Sequence, residues 1–287
     1  MSVVVTGATG HLGRLIVADL LAHGVSAGSI VATGRQVGRL ADLAERGVRT
    51  AHVEYAEPGS MTEPFAGADA LMLVSGTQVG ERVEQHRNAI EAARAAGVRR
   101  IVYTSAPHAD RSPLILAPEH KATEEMIRES GLDFTVLRNN WYTENYVPAL
   151  EQARVTGEVI SSAGDGRVAS APRGDFAAAA SVVLRTEGHA GRTYELAGDH
   201  PWTFDDLAVA IGGIVGREVR HRRVEPDEHL TLLVAAGVPD ETAQFLVALD
   251  SDIRDGLLAG GATDLSDLLG RPTTPLAEAL RAAATDG

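Results

Sequence analysis

The chain contains no cysteine, and this absence removes several kinds of chemistry. Without thiols there are no disulfides, no thiolate nucleophile and no cysteine-ligated zinc. A chain without cysteine is compatible with a reducing compartment, and we expect the protein to work in the cytoplasm.

Basic blocks and long apolar runs are also missing. The formal net charge is −13, and lysine and arginine form no cluster, which argues against nucleic acid or an anionic membrane as a partner. No apolar run approaches the roughly 20 residues of a membrane span. Thr6 and Gly7 interrupt the valine run at the N-terminus. We therefore expect neither a signal peptide nor a membrane anchor.

Aromatic residues are scarce, at 4% of the chain, so a local cluster of them is informative. Hydrophobic residues nevertheless make up 44% of the 287 residues. This length and composition predict a globular protein with an ample core, built as one large domain or two smaller ones.

The N-terminal stretch predicts a strand, a glycine turn and a helix in direct succession. Val3–Val5 is typical of a buried strand, and Gly7, Gly10 and Gly13 follow it. This layout is that of a dinucleotide-binding βαβ unit. Gly7 would allow the tight turn, Gly10 the approach of a pyrophosphate and Gly13 close packing of the helix. The N–H groups at the start of that helix would then face the phosphates.

The residue after the second predicted strand indicates which dinucleotide binds. A site for NAD usually places Asp or Glu there, to hold the ribose 2′-hydroxyl. This chain has Arg35 instead, with Arg39 further on. A guanidinium matches a phosphate with two parallel hydrogen bonds. We therefore predict NADP, with Arg35 on the 2′-phosphate; the alternative is a solvated surface arginine.

Strand and helix patterns alternate up to about residue 148. Apolar segments at 70–74, 100–105 and 133–138 predict strands, separated by helical patterns such as 81–96. The fold class predicted is α/β, a Rossmann-type doubly wound parallel sheet. We predict an NADP-binding domain at 1–148. The remainder, 149–287, is expected to form a smaller, mostly helical substrate lobe with some elements docked back on the sheet.

Aromatic and amide side chains concentrate after the sixth predicted strand. Trp141, one of two tryptophans in the chain, stands between Asn140 and Tyr142. Amides can bond a carboxamide, and flat rings can stack on a nicotinamide or a planar substrate. The alternative is a packed hinge between domains. The segment 103–108, which begins with Tyr103, is expected to face the same cleft.

One common catalytic pair is incomplete. Many short-chain dehydrogenases use a tyrosine acid with a lysine four residues later. Lys121 has the position of such a lysine, but Ala117 occupies the tyrosine position. Alcohol–ketone chemistry with a tyrosine acid is therefore not expected. Lys121 and its neighbour His120 are weak candidates, and a surface lysine is the simpler interpretation.

Motifs for metal or nucleophilic catalysis are not found. The sequence has neither a His-Glu-x-x-His zinc motif nor a Gly-x-Ser-x-Gly nucleophile elbow. His108 and Asp110 have a spacing that metal ligands use, but a polar loop pair explains them better. We expect no metal.

Taken together, several segments resemble the NmrA-like branch of the atypical short-chain dehydrogenases. They are the glycine turn, Gly34 with Arg35, and the segments 103–105, 137–146, 163–170, 194–198 and 270–276. Within that branch, the sequence is most similar to the bacterial NADPH-dependent quinone oxidoreductases. Members of this branch also lack the tyrosine of the tyrosine–lysine pair.

The resemblance implies a bilobed fold, NADP as cofactor and often a homodimer. The cofactor contacts that it implies are Gly7, Ala8, Thr9, Gly10, His11, Leu12, Gly13, Arg35, Val74, Ser75, Gly76, Arg138, Asn139, Asn140, Trp141 and Tyr142. It also implies a quinone placed against the nicotinamide.

The predicted reaction is hydride transfer from NADPH to a quinone or another planar acceptor. A quinone accepts hydride readily, so positioning and water exclusion are the main tasks of the protein. Our substrate-side candidates are Tyr103, Asn140, Trp141, Tyr142 and Lys121. Two alternatives remain open: an NADP-sensing regulator without turnover, and a reductase of triphenylmethane or azo dyes.

Overall fold

The structure is a computed structural model that describes residues 1–285. The strands are β1 Val3–Val5, β2 Ile30–Gly34, β3 Arg49–His52, β4 Ala70–Leu73, β5 Arg100–Ser105, β6 Asp133–Asn139, β7 Glu158–Ser161, β8 Arg167–Val168, β9 Arg192–Leu196, β10 Trp202–Thr203 and β11 Arg220–Arg223. The helices are α1 His11–Ala22, α2 Ala41–Glu45, α3 Thr62–Phe65, α4 Arg82–Ala95, α5 Ala117–Glu129, α6 Val147–Thr156, α7 Arg173–Arg185, α8 Phe204–Val215, α9 Pro226–Ala235, α10 Asp240–Arg254, α11 Asp264–Leu269 and α12 Leu276–Ala283.

The central sheet has seven strands in the order β3-β2-β1-β4-β5-β6-β9. Every neighbouring pair in it is parallel. The strand order reverses between β1 and β4, and a crevice for ligands opens at such a reversal. The predicted Rossmann-type doubly wound sheet is confirmed.

The valines of β1 show how the sheet is buried on both faces. Val3 and Val5 pack into one apolar cluster with residues of α1 and α7. Val4 points the opposite way, into a second cluster with residues of α4 and β5. Successive strand residues face opposite sides, so an uninterrupted apolar strand needs cover on both.

Beyond residue 148, part of the chain returns to the sheet. β9 pairs with β6, and α7 packs against α1. The rest includes a parallel pair, β7 with β11, and an antiparallel pair, β8 with β10. A separate apolar cluster holds this part together. The boundary at 148 itself remains a prediction.

The sheet ends in short elements on the β3 side. β3 is limited to four residues, because β2 offers it a partner for four residue pairs. A 3₁₀ turn at Val37–Leu40 followed by α2 connects these two strands. Across residues 1–285, none of the helices combines the length and hydrophobicity that a bilayer crossing requires.

Candidate functional site

The glycine turn between β1 and α1 has the geometry that its sequence predicts. Gly7 has φ of +62°, a left-handed conformation that favours glycine. A Cβ on Gly13 would lie 2.5 Å from the Gly7 carbonyl oxygen, so any side chain would push α1 away from the turn. A Cβ on Gly10 would meet the same oxygen at 3.3 Å. The three glycines therefore bring α1 close to the end of β1.

The N-terminus of α1 is free to bind an anion. Its N-cap is Gly10, no side chain caps the helix, and no acidic residue stands in its first turn. Unpaired N–H groups and the positive end of the helix dipole attract phosphate. Gly10, His11, Leu12 and Gly13 line a cleft at this point.

The cleft has a volume of about 650 Å³ and runs along the carboxyl ends of the central strands. Residues that line it on the nucleotide side include Gly7, Thr9, Gly10, His11, Leu12, Gly13, Gly34, Arg35, Glu54, Tyr55, Val74, Ser75 and Gly76. Residues at the other end include Ala106, Pro107, Leu114, Leu116, His120, Asn139, Asn140, Trp141, Tyr142, Phe245 and Leu258. One end is polar and carries Arg35 together with Glu54, and the other is largely apolar and aromatic.

Arg35 lies at the end of β2 and lines the nucleotide side of the cleft. Its side chain is 60% exposed, and its Nη1 stands 4.0 Å from Glu54 Oε1. At that distance an exposed pair contributes little, so the guanidinium retains most of its capacity to bind an anion. The expected place of Arg35 beside the cleft therefore agrees with the structure.

Buried polar groups hold the segment that follows β4. The Ser75 N–H donates to Thr104 Oγ1 at 2.9 Å, and the Gly76 N–H donates to His86 Nε2 at 3.0 Å. Because His86 Nε2 accepts, its ring proton lies on Nδ1, 3.0 Å from Thr123 Oγ1. Burial lowers the pKa of His86 to about 3, and the charge of the Arg82 guanidinium acts in the same direction. His86 is therefore neutral.

The segment after β6 forms the wall opposite the glycine turn. The Asn140 side chain donates to the Leu258 carbonyl at 3.3 Å and accepts from the Trp141 N–H at 2.6 Å. The Arg173 guanidinium lies 4.7 Å from the Tyr142 ring centroid, a cation–π arrangement. Within residues 1–285, Asn139 Oδ1 is buried and has no hydrogen-bond partner. It is therefore an acceptor available to a ligand amide.

Tyr103 is not placed where a substrate could touch it, contrary to our expectation. The side chain is fully buried and does not line the cleft. Its hydroxyl lies 2.7 Å from His120 Nδ1, beneath α5. Tyr103 stands two residues before the end of β5, so the helices that cover the sheet also cover its ring.

Arg138 also differs from the expectation, because its charge is directed away from the cleft. The guanidinium makes two hydrogen bonds to Glu124, at 2.8 and 2.7 Å, and one to Glu195 at 2.8 Å. It also lies 2.7 Å from Asp110. Three carboxylates thus engage it, and it anchors β6 instead of lining the cleft as a cofactor contact would.

Two further expected site residues lie outside the cleft. Lys121 is exposed on α5 and does not line the cleft, which agrees with the simpler interpretation as a surface lysine. Ala8 is fully buried, and its N–H donates to the Thr33 carbonyl at 2.8 Å. That bond leaves the amide of Ala8 unavailable to a phosphate.

Several cleft residues were not predicted, or were considered only weakly. His120 was a weak candidate, and Arg82, Arg173, Phe245 and Leu258 were not considered. Arg82 opens the helix after β4, so the rule that ligands lie beyond strand ends could have found it. Phe245 and Leu258 come from distant segments and carry no local signal. Within the described chain, no three His, Asp or Glu side chains group as metal ligands would.

Comparison with known proteins shows that the chain is similar to proteins that bind NAD(P)H. The sequence profile of the family described as NAD(P)H-binding matches residues 7–187. Quinone oxidoreductase 2 of Escherichia coli is 42% identical over 97% of this chain and 97% of its own.

Two solved structures show the same similarity in three dimensions. The NADPH-dependent quinone oxidoreductase 2 of Escherichia coli, complexed with NADPH, superposes with a TM-score of 0.93 at 42% identity, over 97% of this chain and 98% of its own. The Citrobacter triphenylmethane reductase complexed with NADP(H) superposes with a TM-score of 0.94 at 38% identity, over 99% and 100%. The expected similarity to NADPH-dependent quinone oxidoreductases is confirmed. The chain belongs to the NAD(P)H-binding family.

Proposed function

We propose that the protein is an NADPH-dependent oxidoreductase that reduces a quinone by hydride transfer. The observation that carries this proposal is the two-ended cleft. An open helix N-terminus and Arg35 stand at one end, and an apolar aromatic chamber stands at the other. The relative with 42% identity is named a quinone oxidoreductase, and its structure contains NADPH.

The residues of the cleft fit a dinucleotide. The first-turn N–H groups of α1 would hold the pyrophosphate, since Gly10 leaves room above them. Arg35 would hold the 2′-phosphate, which distinguishes NADP from NAD. The unpaired Asn139 Oδ1 would accept from the carboxamide of the nicotinamide. Bound there, the reduced cofactor would supply a hydride.

The other end of the cleft would take the acceptor. Leu116, Trp141, Phe245 and Leu258 bound a space suited to a flat apolar ring. These side chains would place the ring beside the nicotinamide and exclude water from the reacting atoms. The Asn140 side chain donates a hydrogen bond to the Leu258 carbonyl, so this side of the cleft is already ordered before the acceptor binds.

No tyrosine acid takes part in this proposal. Ala117 stands where the tyrosine of the Tyr-x-x-x-Lys pair would be, and its side chain is buried. A quinone needs little acid assistance to accept a hydride, so the cleft suits this substrate better than an ordinary ketone.

A dye reductase is the second candidate. It is favoured by the 38% identity and full-length superposition with a triphenylmethane reductase. A triarylmethane cation is also a planar hydride acceptor. It would occupy the same apolar chamber, so the choice between the two depends on relative rates.

The test is to mix purified protein with NADPH and 1,4-benzoquinone and to follow the loss of nicotinamide absorbance. We expect acceptor-dependent oxidation with NADPH that is faster than with NADH. Malachite green serves as the competing acceptor, and a higher kcat/KM for the dye would replace the quinone proposal with the second candidate. Thermal unfolding with and without NADPH measures binding separately. Binding without oxidation by either acceptor would contradict the proposal and favour a sensing role.

The quaternary structure is a further part of the proposal. We propose a homodimer, as expected from the family resemblance. Light scattering coupled to size-exclusion chromatography measures it, and a mass near the monomer value of 30.1 kDa would reject it.

A further inference from the structure

His120 reaches the wall of the cleft from α5. Leu116 directly precedes α5, and His120 follows it by four residues, which is about one helical turn. The two side chains therefore lie on the same side of the helix. Both residues line the cleft, and Leu116 packs against the apolar cluster that contains Trp141, Phe245 and Leu258. The imidazole is therefore located at the acceptor end of the cleft.

The other side of the imidazole is held inside the core. His120 Nδ1 lies 2.7 Å from the Tyr103 hydroxyl oxygen, and Tyr103 is fully buried. Burial raises the pKa of Tyr103, so the phenol remains protonated. A phenol hydroxyl can donate its proton to Nδ1 or accept one from Nδ1–H, and Thr123 is a second hydrogen-bond neighbour of this hydroxyl.

The direction of this bond determines where the imidazole proton resides. A neutral histidine has one nitrogen that donates and one that accepts. When Nδ1 accepts from Tyr103, Nε2 carries the proton and is the ring nitrogen left for the cleft.

The ring also stays neutral. Burial, reinforced by the Arg82 guanidinium, lowers the pKa of His120 to about 3. Arg82 is itself held by Glu119 and by the Gly76 carbonyl, so its charge remains beside the ring. A neutral imidazole donates a hydrogen bond without releasing its proton, as an electrophile in an active site does.

We propose that Tyr103 donates its phenol proton to Nδ1 of His120, and that the Nε2–H group of His120 donates a hydrogen bond to the carbonyl oxygen of the acceptor and stabilises the negative charge that this oxygen gains. The proposal rests on the function proposed above. It assigns the electrophilic role to His120, whereas the motif comparison had drawn attention to Lys121.

The chemistry balances without proton loss from the protein. The quinone takes up one hydride, which is two electrons and one proton, and becomes a hydroquinone monoanion, while the nicotinamide leaves oxidised. One proton from water then gives the neutral hydroquinone. A fixed donor aimed at the developing oxyanion lowers the barrier because it needs no reorientation during the reaction.

Two variants test the two ring nitrogens separately, because each keeps a polar atom at the position of only one of them. In His120→Asn the amide replaces Nδ1 and can still accept from Tyr103, but nothing replaces Nε2. In His120→Gln the amide nitrogen reaches the position of Nε2 and restores a donor to the cleft. We expect kcat with 1,4-benzoquinone to fall about 100-fold in the Asn variant, the scale of a lost oxyanion donor. The Gln variant should retain most of the wild-type kcat. The Kd for NADPH should be unchanged in both variants.

Thermal unfolding of both variants shows whether they are folded. Full kcat in a folded His120→Asn variant would overturn the proposal while the proposed function stands. Equal losses in both folded variants would also overturn it, because the restored donor would then have no effect.

A spectroscopic readout is independent of turnover. With ¹⁵N-labelled histidine, the NADP⁺-loaded protein should show His120 as the Nε2–H tautomer between pH 6 and 8. Hydroquinone should shift that Nε2 resonance, and Tyr103→Phe should remove the tautomer preference. If the wild type reduces no quinone, the proposed function fails on its own. The shift of the Nε2 resonance then tests His120 without turnover. An unshifted resonance or an Nδ1–H tautomer would show that His120 does not donate to the acceptor.

Discussion

Arg35 is the residue on which our proposal of NADP instead of NAD depends. Its guanidinium stands at the end of β2, and Glu54 Oε1 approaches it only to 4.0 Å. No acid follows β2 to hold a ribose 2′-hydroxyl. In our proposal Arg35 therefore distinguishes between two cofactors that differ by a single phosphate.

Replacing Arg35 by alanine should reduce the preference for NADPH over NADH. Loss of a charge-assisted hydrogen bond costs about 1.5–3 kcal/mol, so NADPH affinity should fall roughly 10- to 150-fold. NADH affinity should change little, since NADH lacks the phosphate. Titration with each cofactor measures both values. Arg46→Ala, an exposed arginine that does not line the cleft, is the matched control. An unchanged ratio in the Arg35 variant would show that this side chain is not the phosphate ligand.

At the scale of elements, the contact between the β1 end and α1 allows little variation. The space between Gly13 and the Gly7 backbone is too small for a methyl group. The same close approach keeps the helix N-terminus directed at the cleft. Packing of the helix and the anion site that we propose at its N-terminus therefore depend on the same glycine.

The variant Gly13→Ala should lose both stability and cofactor affinity. Its Cβ would sit 2.5 Å from the Gly7 oxygen, and overpacking of this kind costs about 1–3 kcal/mol. Urea unfolding and NADPH titration provide the two measurements. Gly38→Ala is the control, because no atom lies within 4 Å of its added Cβ. The control should be as stable as the wild type or slightly more so. A Gly13→Ala protein with the wild-type free energy of unfolding and the wild-type affinity for NADPH would show that α1 can shift freely.

On the scale of the whole molecule, buried neutral histidines link the layers beneath the cleft. His86 connects α4 to the loop after β4 and to Thr123 of α5, and His120 connects α5 to β5 through Tyr103. Burial lowers the pKa of each ring to about 3. Each ring binds a proton far more readily in the unfolded chain, where its pKa is near 6.5.

Stability should therefore decrease as pH falls below about 6.5. Between that value and about 3, the unfolded state binds more protons than the folded state. Each of the two histidines then removes about 1.4 kcal/mol per pH unit, and their stabilisation is fully present above pH 6.5. Urea unfolding at pH 7, 6 and 5 measures the slope. His86→Gln should reduce that slope by about 1.4 kcal/mol per pH unit, the contribution of one histidine, and His200→Gln, at an exposed position, should leave it unchanged. Equal slopes in all three proteins would contradict this account.

The sequence by itself determined the βα alternation, the glycine turn and the position of Arg35. These features depend on short-range patterns: a run of apolar residues, a residue without a side chain, and a charge at a strand end. Parallel strands bring their carboxyl ends to one edge, so local patterns sufficed to predict which loops face the ligand.

Only the tertiary structure decided which polar side chains reach the cleft. Tyr103 and Arg138 occupy strand positions that suggested a site, yet distant partners on α5 and β9 bury them. His120 is brought to the cleft by the same packing that covers Tyr103. Phe245 and Leu258 complete the acceptor end from over 100 residues away in the chain. Burial and ion pairing depend on contacts between segments far apart in sequence, which local patterns do not encode.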